Sequence, residues 1–218
     1  MKCIVLRFAC ACILASPAFL VSGCFSTLQT AKVEGGFSFT SGVYTYAVEK
    51  YGYPKSHYED HFLFILMPRY GRAATERRMG TEIGLRLLTD MVDEGKVGEP
   101  FAILLGEFKL QIPKNRYLEL ALGLDFYFFY PGSIYLLASK DLSKTFTLYG
   151  SGELFGGLYS FAMEENEIGL YPKMALGTQM SISKNVSVLA EMEKWFYSEW
   201  DWRENLRFAA GVKVVSPR

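Results

Sequence analysis

The feature that most constrains the fold is a strict alternation of apolar and other side chains over residues 117–128. The even positions of this stretch are all apolar, namely Leu118, Leu120, Leu122, Leu124, Phe126 and Phe128. The odd positions carry small, hydroxylated or acidic side chains, including Glu119 and Asp125. Successive side chains of a β-strand point to opposite faces, whereas in an α-helix these leucines would be spread around the axis. The stretch therefore predicts a strand with one continuous apolar face.

The same period of two recurs along the chain. Clear repeats of the pattern span residues 79–90, 168–183 and 206–214, and weaker ones span residues 36–47, 61–70, 101–112, 133–139, 145–155 and 186–196. Several of these stretches reach the roughly 9–11 residues with which a tilted strand crosses a bilayer. Short connections alternate with mostly longer ones, which is typical of even-stranded outer-membrane barrels. We therefore predict an all-β fold: a single antiparallel transmembrane β-barrel of about ten strands, within a range of about eight to twelve.

The N-terminus has the features of an export signal. Lys2 and Arg7 precede or interrupt a mostly apolar run that ends in Val21, Ser22, Gly23 and Cys24. The other cysteines, Cys3, Cys10 and Cys12, all lie before this point. Cleavage before Cys24 would leave it as the only thiol, and a single thiol in an exported chain calls for an explanation.

Residues 21–24 resemble the lipobox of a bacterial lipoprotein signal. The resemblance implies cleavage before Cys24 and acylation of Cys24, with palmitate among the acyl groups. The chain then divides into a signal peptide at residues 1–23, an N-terminal tether at 24–34 and an outer-membrane β-barrel domain at 35–218. An ordinary signal peptide with a chance cysteine is the alternative.

Alternation by itself does not say which face is inside. A membrane barrel is apolar outside, whereas a soluble lipocalin-like barrel is apolar inside, with the same period. Small residues such as Gly84, Gly123 and Gly211 on the polar face suit a narrow, filled lumen. The apolar rows are almost free of charge, as lipid contact requires. We therefore place the polar face inside, with these candidate lumen charges: Glu82, Arg86, Glu107, Lys109, Glu119, Asp125, Glu153, Lys173, Glu191, Arg207 and Lys213.

Two short stretches carry a family resemblance. Residues 68–71 read Pro-Arg-Tyr-Gly and residues 81–87 read Thr-Glu-Ile-Gly-Leu-Arg-Leu. They resemble the strand ends that flank a periplasmic turn in small bacterial outer-membrane β-barrel proteins. The resemblance implies an outer-membrane location with both mature termini periplasmic, contact with membrane lipids, and the barrel-assembly machinery as a partner. Residues 212–218 depart from the pattern because they lack a terminal aromatic residue.

Aromatic residues crowd the strand ends next to the longer connections. Tyr44 and Tyr46 precede the first of these connections, and Trp195 and Phe196 precede the last. Aromatic girdles form where a barrel crosses the lipid–water interface. We assign these residues to such a girdle, with the aromatic core of a soluble β-protein as the alternative.

Charge and residue usage limit the possible functions. The chain has 23 basic and 23 acidic residues, which argues against nucleic-acid binding driven by bulk charge. A ten-stranded barrel is only slightly wider than the eight-stranded size that side chains fill, so charges of both signs should pair and plug the lumen. We predict a non-enzymatic outer-membrane lipoprotein with a plugged or narrow charged lumen and a structural, surface-contact or minor permeability role. No cofactor or metal is predicted, and the oligomeric state stays open.

Two alternatives remain from the sequence. The first is a lipid-tethered, soluble lipocalin-like barrel that binds an apolar ligand. The second is a hydrolase with a site at the barrel rim, using His57 or His61, the only histidines of the chain. The sequence has no Gly-x-Ser-x-Gly nucleophile motif to support it.

Overall fold

The chain folds into one closed antiparallel β-barrel. The computed structural model describes residues 28–50, 57–90, 102–113, 117–127, 130–156, 170–196 and 206–216. These residues form ten strands, each paired with its neighbours in sequence, and the first strand also pairs with the tenth. The predicted all-β fold and the predicted number of strands are both confirmed. Within this part of the chain, no helix has the length and hydropathy needed to cross a membrane.

Each predicted stretch corresponds to one strand. In chain order the strands are β1 (Gly36–Lys50), β2 (His57–Arg72), β3 (Gly80–Asp90), β4 (Ala102–Gln111), β5 (Glu119–Tyr127), β6 (Tyr130–Asp141), β7 (Phe146–Gly156), β8 (Leu170–Ser181), β9 (Val186–Trp195) and β10 (Leu206–Val215). Their lengths suit tilted strands that cross a bilayer.

The two ends of the barrel differ. At one end lie the connections 73–79, 112–118, 142–145 and 182–185, together with the start of β1 and the end of β10. We call this the short-turn end. The opposite end, which we call the long-loop end, joins strands through residues 51–56, 91–101, 128–129, 157–169 and 196–205.

Two of the short turns are built in the same way from serine. In the β6–β7 turn the backbone N–H of Phe146 donates to Oγ of Ser143 at 3.0 Å, and in the β8–β9 turn that of Val186 donates to Oγ of Ser183 at 3.1 Å. A serine side chain that accepts a backbone N–H in this way stabilises a tight turn.

The outer face of the barrel is apolar and the inner face carries the charges. Leu122 and Leu124 on β5 are 44% and 39% exposed, whereas Asp125 is 4% exposed. Other outward side chains form an apolar belt: Ile83, Leu85, Leu104, Ile134, Leu136, Leu154, Leu176, Met192, Phe208 and Val212. This arrangement is that of a transmembrane barrel and is the opposite of a soluble carrier with an apolar interior.

Tyrosine rings fill much of the space that the inward glycines leave. Tyr135 pairs directly with Gly123 across β5 and β6, and Tyr149 pairs with Gly177 across β7 and β8. A Cβ at position 123 would lie 2.0 Å from the Tyr135 ring, and one at position 177 would lie 2.3 Å from the Tyr149 ring. These glycines are therefore needed because a ring from the neighbouring strand lies over them.

Candidate functional site: a filled, charged lumen

The structure places most of the candidate lumen charges inside the barrel. Nine of the eleven are buried: Glu82, Arg86, Glu107, Lys109, Asp125, Glu153, Lys173, Glu191 and Lys213. The other two lie near strand ends and are partly exposed. Glu119 begins β5 at the short-turn end, and Arg207 lies near the long-loop end, where its guanidinium donates to the carbonyl of Leu206 at 3.4 Å.

Six of the buried charges form one cluster on strands β2–β5, which we call the arginine cluster: Arg69, Glu82, Arg86, Glu107, Lys109 and Asp125. Glu107 lies at its centre. One of its oxygens accepts from Nε of Arg69 at 2.9 Å, and the other accepts from the Arg86 guanidinium. Three cations and three carboxylates thus neutralise one another, as burial requires.

Two further ion pairs complete the charge balance of the arginine cluster. Arg86 Nη1 donates to Oδ2 of Asp125 at 3.1 Å. Nζ of Lys109 lies 2.8 Å from a carboxylate oxygen of Glu82. Each cation therefore has an acidic partner within 3.1 Å, one or two strands away.

The spacing of residues 82–86 explains how β3 contributes to the arginine cluster. Glu82, Gly84 and Arg86 alternate with outward residues and so all face inward. A Cβ at position 84 would lie 2.7 Å from Cγ of Arg69 and 3.0 Å from the carbonyl oxygen of Pro68. Gly84 therefore leaves the space through which Arg69 on β2 crosses β3 to reach Glu107 on β4.

This geometry gives a test of Gly84. We expect Gly84→Ala to lower the free energy of unfolding by about 1–3 kcal/mol, because the added methyl group displaces Arg69. Gly152→Ala is the matched control, because a Cβ at position 152 meets nothing within 4 Å. Guanidinium unfolding of the two variants in lipid vesicles would measure the difference. Equal stabilities would show that the Arg69 side chain does not depend on Gly84.

A second group of charges lies on strands β7–β9. Nζ of Lys173 lies 2.6 Å from an oxygen of Glu153 and 3.4 Å from one of Glu193. The Tyr44 hydroxyl donates to the other oxygen of Glu193. Tyr44 is thus fully buried in the lumen, and its assignment to an aromatic girdle was wrong because its position on β1 faces inward.

The lumen also contains a piece of the chain that precedes β1. Residues 28–34, which we call the lumen segment, contact inward side chains of several strands. Its backbone at Val33 donates to Oε1 of Gln111 at 2.8 Å, and Lys109 donates to the carbonyl of Thr30 at 3.2 Å. Within the tether predicted at 24–34, the described residues therefore lie inside the barrel.

The N-terminal end of the lumen segment is Leu28, which is bonded to the barrel wall. Its N–H donates to Oε2 of Glu191 at 3.0 Å. Its side chain enters a hollow between Gly42 and Gly211, which are direct partners on β1 and β10. Hypothetical Cβ atoms at these two positions would lie 2.7 and 3.2 Å from Cδ1 of Leu28. The two glycines thus form a socket for one leucine side chain.

The C-terminal end of the lumen segment, Glu34, forms an ion pair with the barrel wall. Oε1 of Glu34 lies 3.4 Å from Nζ of Lys213. Gly36 then reverses the chain into β1 with a φ of 99°, a conformation that glycine adopts without strain.

Some of the other predicted sites have no described side chain, or lie wholly outside the described part of the chain. Cys24 is among them. His57 and His61 lie at the start of β2 near the long-loop end, and their side chains are not described. In the part of the chain that is described, no three His, Cys, Asp or Glu side chains are grouped so that they could hold a metal ion.

Comparisons with known proteins give a match only in structure. No protein-family model matches the sequence, and no curated protein matches it. Among solved structures, the chain is similar to one titled KdgM porin, with a TM-score of 0.43 and 10% sequence identity. That match covers 82% of this chain and 99% of the porin chain. The closed ten-stranded barrel with its apolar outer face and charged interior is itself the arrangement of a small outer-membrane β-barrel.

Proposed function

We propose that this chain is a non-enzymatic outer-membrane barrel whose lumen is closed at rest and whose role is structural or in surface contact. The observation that carries the proposal is the position of the lumen segment, which contacts the barrel wall from inside over residues 28–34. Ion pairs and tyrosine rings occupy much of the rest of the described lumen. A barrel filled in this way supports minor permeability at most.

The packing of the lumen segment supports a closed state. Gln29 donates to the Tyr135 hydroxyl at 3.2 Å, and its side-chain oxygen accepts from Lys109 at 3.2 Å. The Gln29 side chain is thus bonded to β4 and β6, and the Leu28 backbone is bonded to Glu191 on β9, five strands from β4. A solute that crosses the barrel would have to displace these bonds.

The buried charges argue against the first of the two alternative functions. A soluble carrier of an apolar ligand needs an apolar cavity, whereas this interior buries charges of both signs. A hydrolase at the rim would depend on His57 or His61, whose side chains lie outside the described part of the structure.

Attachment and orientation belong to the same proposal. We place the short-turn end, and with it the C-terminus, on the periplasmic side, as is usual for barrels with short turns at one end. Acylation of Cys24 would add a lipid anchor to a chain that already spans the membrane. Membrane lipids surround the apolar belt, and the barrel-assembly machinery would insert the chain.

Leu28 gives the test of the closed lumen. Leu28→Glu puts a carboxylate into the socket between Gly42 and Gly211, close to Glu191, so repulsion and burial should expel the lumen segment. We expect no steady conductance from the unmodified chain in planar bilayers and measurable conductance from Leu28→Glu. Leu28→Met keeps the volume and the apolar character, so this control should stay silent.

Two other outcomes of the conductance measurement would contradict the proposal. Steady conductance of the unmodified chain would mean that the lumen is open at rest. A silent Leu28→Glu variant would mean that the wall residues close the barrel without the lumen segment. Heat-modifiable migration on gels shows that each variant contains a folded barrel before its conductance is interpreted.

A further inference from the structure

We propose that the N-terminal part of the mature chain is threaded through the barrel, so that the chain preceding Leu28 emerges at the long-loop end. The two ends of the mature chain would then lie on opposite sides of the membrane. The sequence alone predicted both of them on the periplasmic side. This inference requires a barrel that spans the membrane, but it does not depend on the closed-lumen function.

The C-terminal part of the lumen segment, at Val33 and Glu34, lies at the short-turn end. A Cβ on Gly71, next to the end of β2, would lie 2.9 Å from Cγ1 of Val33 and 2.6 Å from the carbonyl oxygen of Glu34. Val33 is also bonded to Gln111, the last residue of β4. All these strand positions lie at the short-turn end, so the segment enters the lumen there.

Towards the N-terminus of the lumen segment, its contacts lie progressively further from the short-turn end. Gln29 and Thr30 bind Lys109, two residues further into β4 than Gln111. Leu28 binds Glu191, which is five residues into β9 from the short-turn end and four from its other end. Towards its N-terminus, the segment therefore climbs from the short-turn end to about the middle of the barrel.

The lumen segment also contacts several sides of the lumen wall. It contacts β1 and β10 through Leu28, β4 and β6 through Gln29, and β2 through Val33. These strands lie all around the closed barrel. A second length of chain running back to the short-turn end would have to fit inside the lumen beside a segment that is already bonded on several sides.

The distance that remains to the long-loop end is short. Four residues of a strand tilted by about 40° rise about 10 Å, which is the height of β9 above Glu191. The four residues from Leu28 back to Cys24 can span up to about 14 Å. Residue 24 is therefore within reach of the long-loop end, and acyl chains on Cys24 would enter the leaflet on that side.

Single cysteines labelled with a membrane-impermeant maleimide test the threading. Phe25→Cys probes the N-terminal part, Ser216→Cys marks the short-turn end, and Asn166→Cys marks the connection between β7 and β8 at the long-loop end. The unmodified chain reports any labelling of Cys24. We expect Phe25→Cys to be labelled on intact cells like Asn166→Cys, and Ser216→Cys to be labelled only after permeabilisation.

Labelling of Phe25→Cys only after permeabilisation, like Ser216→Cys, would overturn the inference. Labelling from neither side would overturn it as well, because the chain would then end its path within the lumen. Val33 is 1% exposed inside the barrel, so Val33→Cys should resist the maleimide in the folded protein and react after denaturation, which checks that the lumen segment is in place. Ready labelling of Val33→Cys in the folded barrel, with Phe25→Cys labelled only after permeabilisation, would show that the segment lies outside the barrel.

Discussion

Replacing Glu107 by leucine is expected to lower the free energy of unfolding by about 3–5 kcal/mol. Glu107 is the shared partner of Arg69 and Arg86, and all three side chains are almost completely buried. Without it, three cations of the arginine cluster face two carboxylates. The cost arises from a buried cation that has lost its closest partner. Equilibrium unfolding in guanidinium, with the protein in lipid vesicles, would measure it.

A double variant provides the matched control. Arg69→Met together with Glu107→Leu removes one cation and one anion, and leaves the Arg86–Asp125 pair and the Lys109–Glu82 pair intact. We expect the double variant to be more stable than Glu107→Leu alone, with a coupling energy of about 0.5–3 kcal/mol between the two sites. A loss below about 1 kcal/mol in the single variant, as for exposed ion pairs, would mean that water solvates the cluster.

The strand period made most of the fold predictable. A β-strand places every second side chain on the same face, so one strand with clear alternation, β5, determines which face each of its residues occupies. The same parity places Glu82 and Arg86 of β3 inside together. Local pattern was sufficient here because each strand needs only its own residues to show which face meets lipid.

Arg69 is a lumen residue that the strand period did not predict. It is central to the arginine cluster, but it was not among the candidate lumen charges. The reason is that β2 is apolar on both faces: Leu63, Ile65 and Met67 point inward and are fully buried, while Phe62 points outward. With no polar row in β2, its residues do not show by themselves which face is inside. Pairing with the neighbouring strands supplies it.

The lumen segment and the tyrosines depend on long-range contacts. No pattern in residues 28–34 distinguishes a tether in the periplasm from an irregular segment inside a barrel. Tyr135 and Tyr149 occupy positions opposite Gly123 and Gly177, and only the register between strands brings each ring over its glycine. Such contacts join residues that are far apart in the sequence, so a local pattern does not contain them.

Leu136→Arg is the second variant for which we expect a large effect. Leu136 lies near the middle of β6, its side chain is 52% exposed on the apolar belt, and its strand partners are Leu122 and Gly152. A cation on this face at mid-depth would have to leave water for lipid. The expected loss of unfolding free energy is about 2–4 kcal/mol.

Leu142→Arg is the matched control for this variant, because Leu142 is 56% exposed in the turn that follows the same strand. At the edge of the membrane the same change should cost only about 0–1 kcal/mol. Unfolding of both variants from lipid vesicles would measure the difference. If the outer face met water instead, both positions would be ordinary surface sites with changes within about 0.5 kcal/mol of zero. Equal, small effects of the two substitutions would therefore contradict a lipid-facing belt, and with it the placement of this barrel in a membrane.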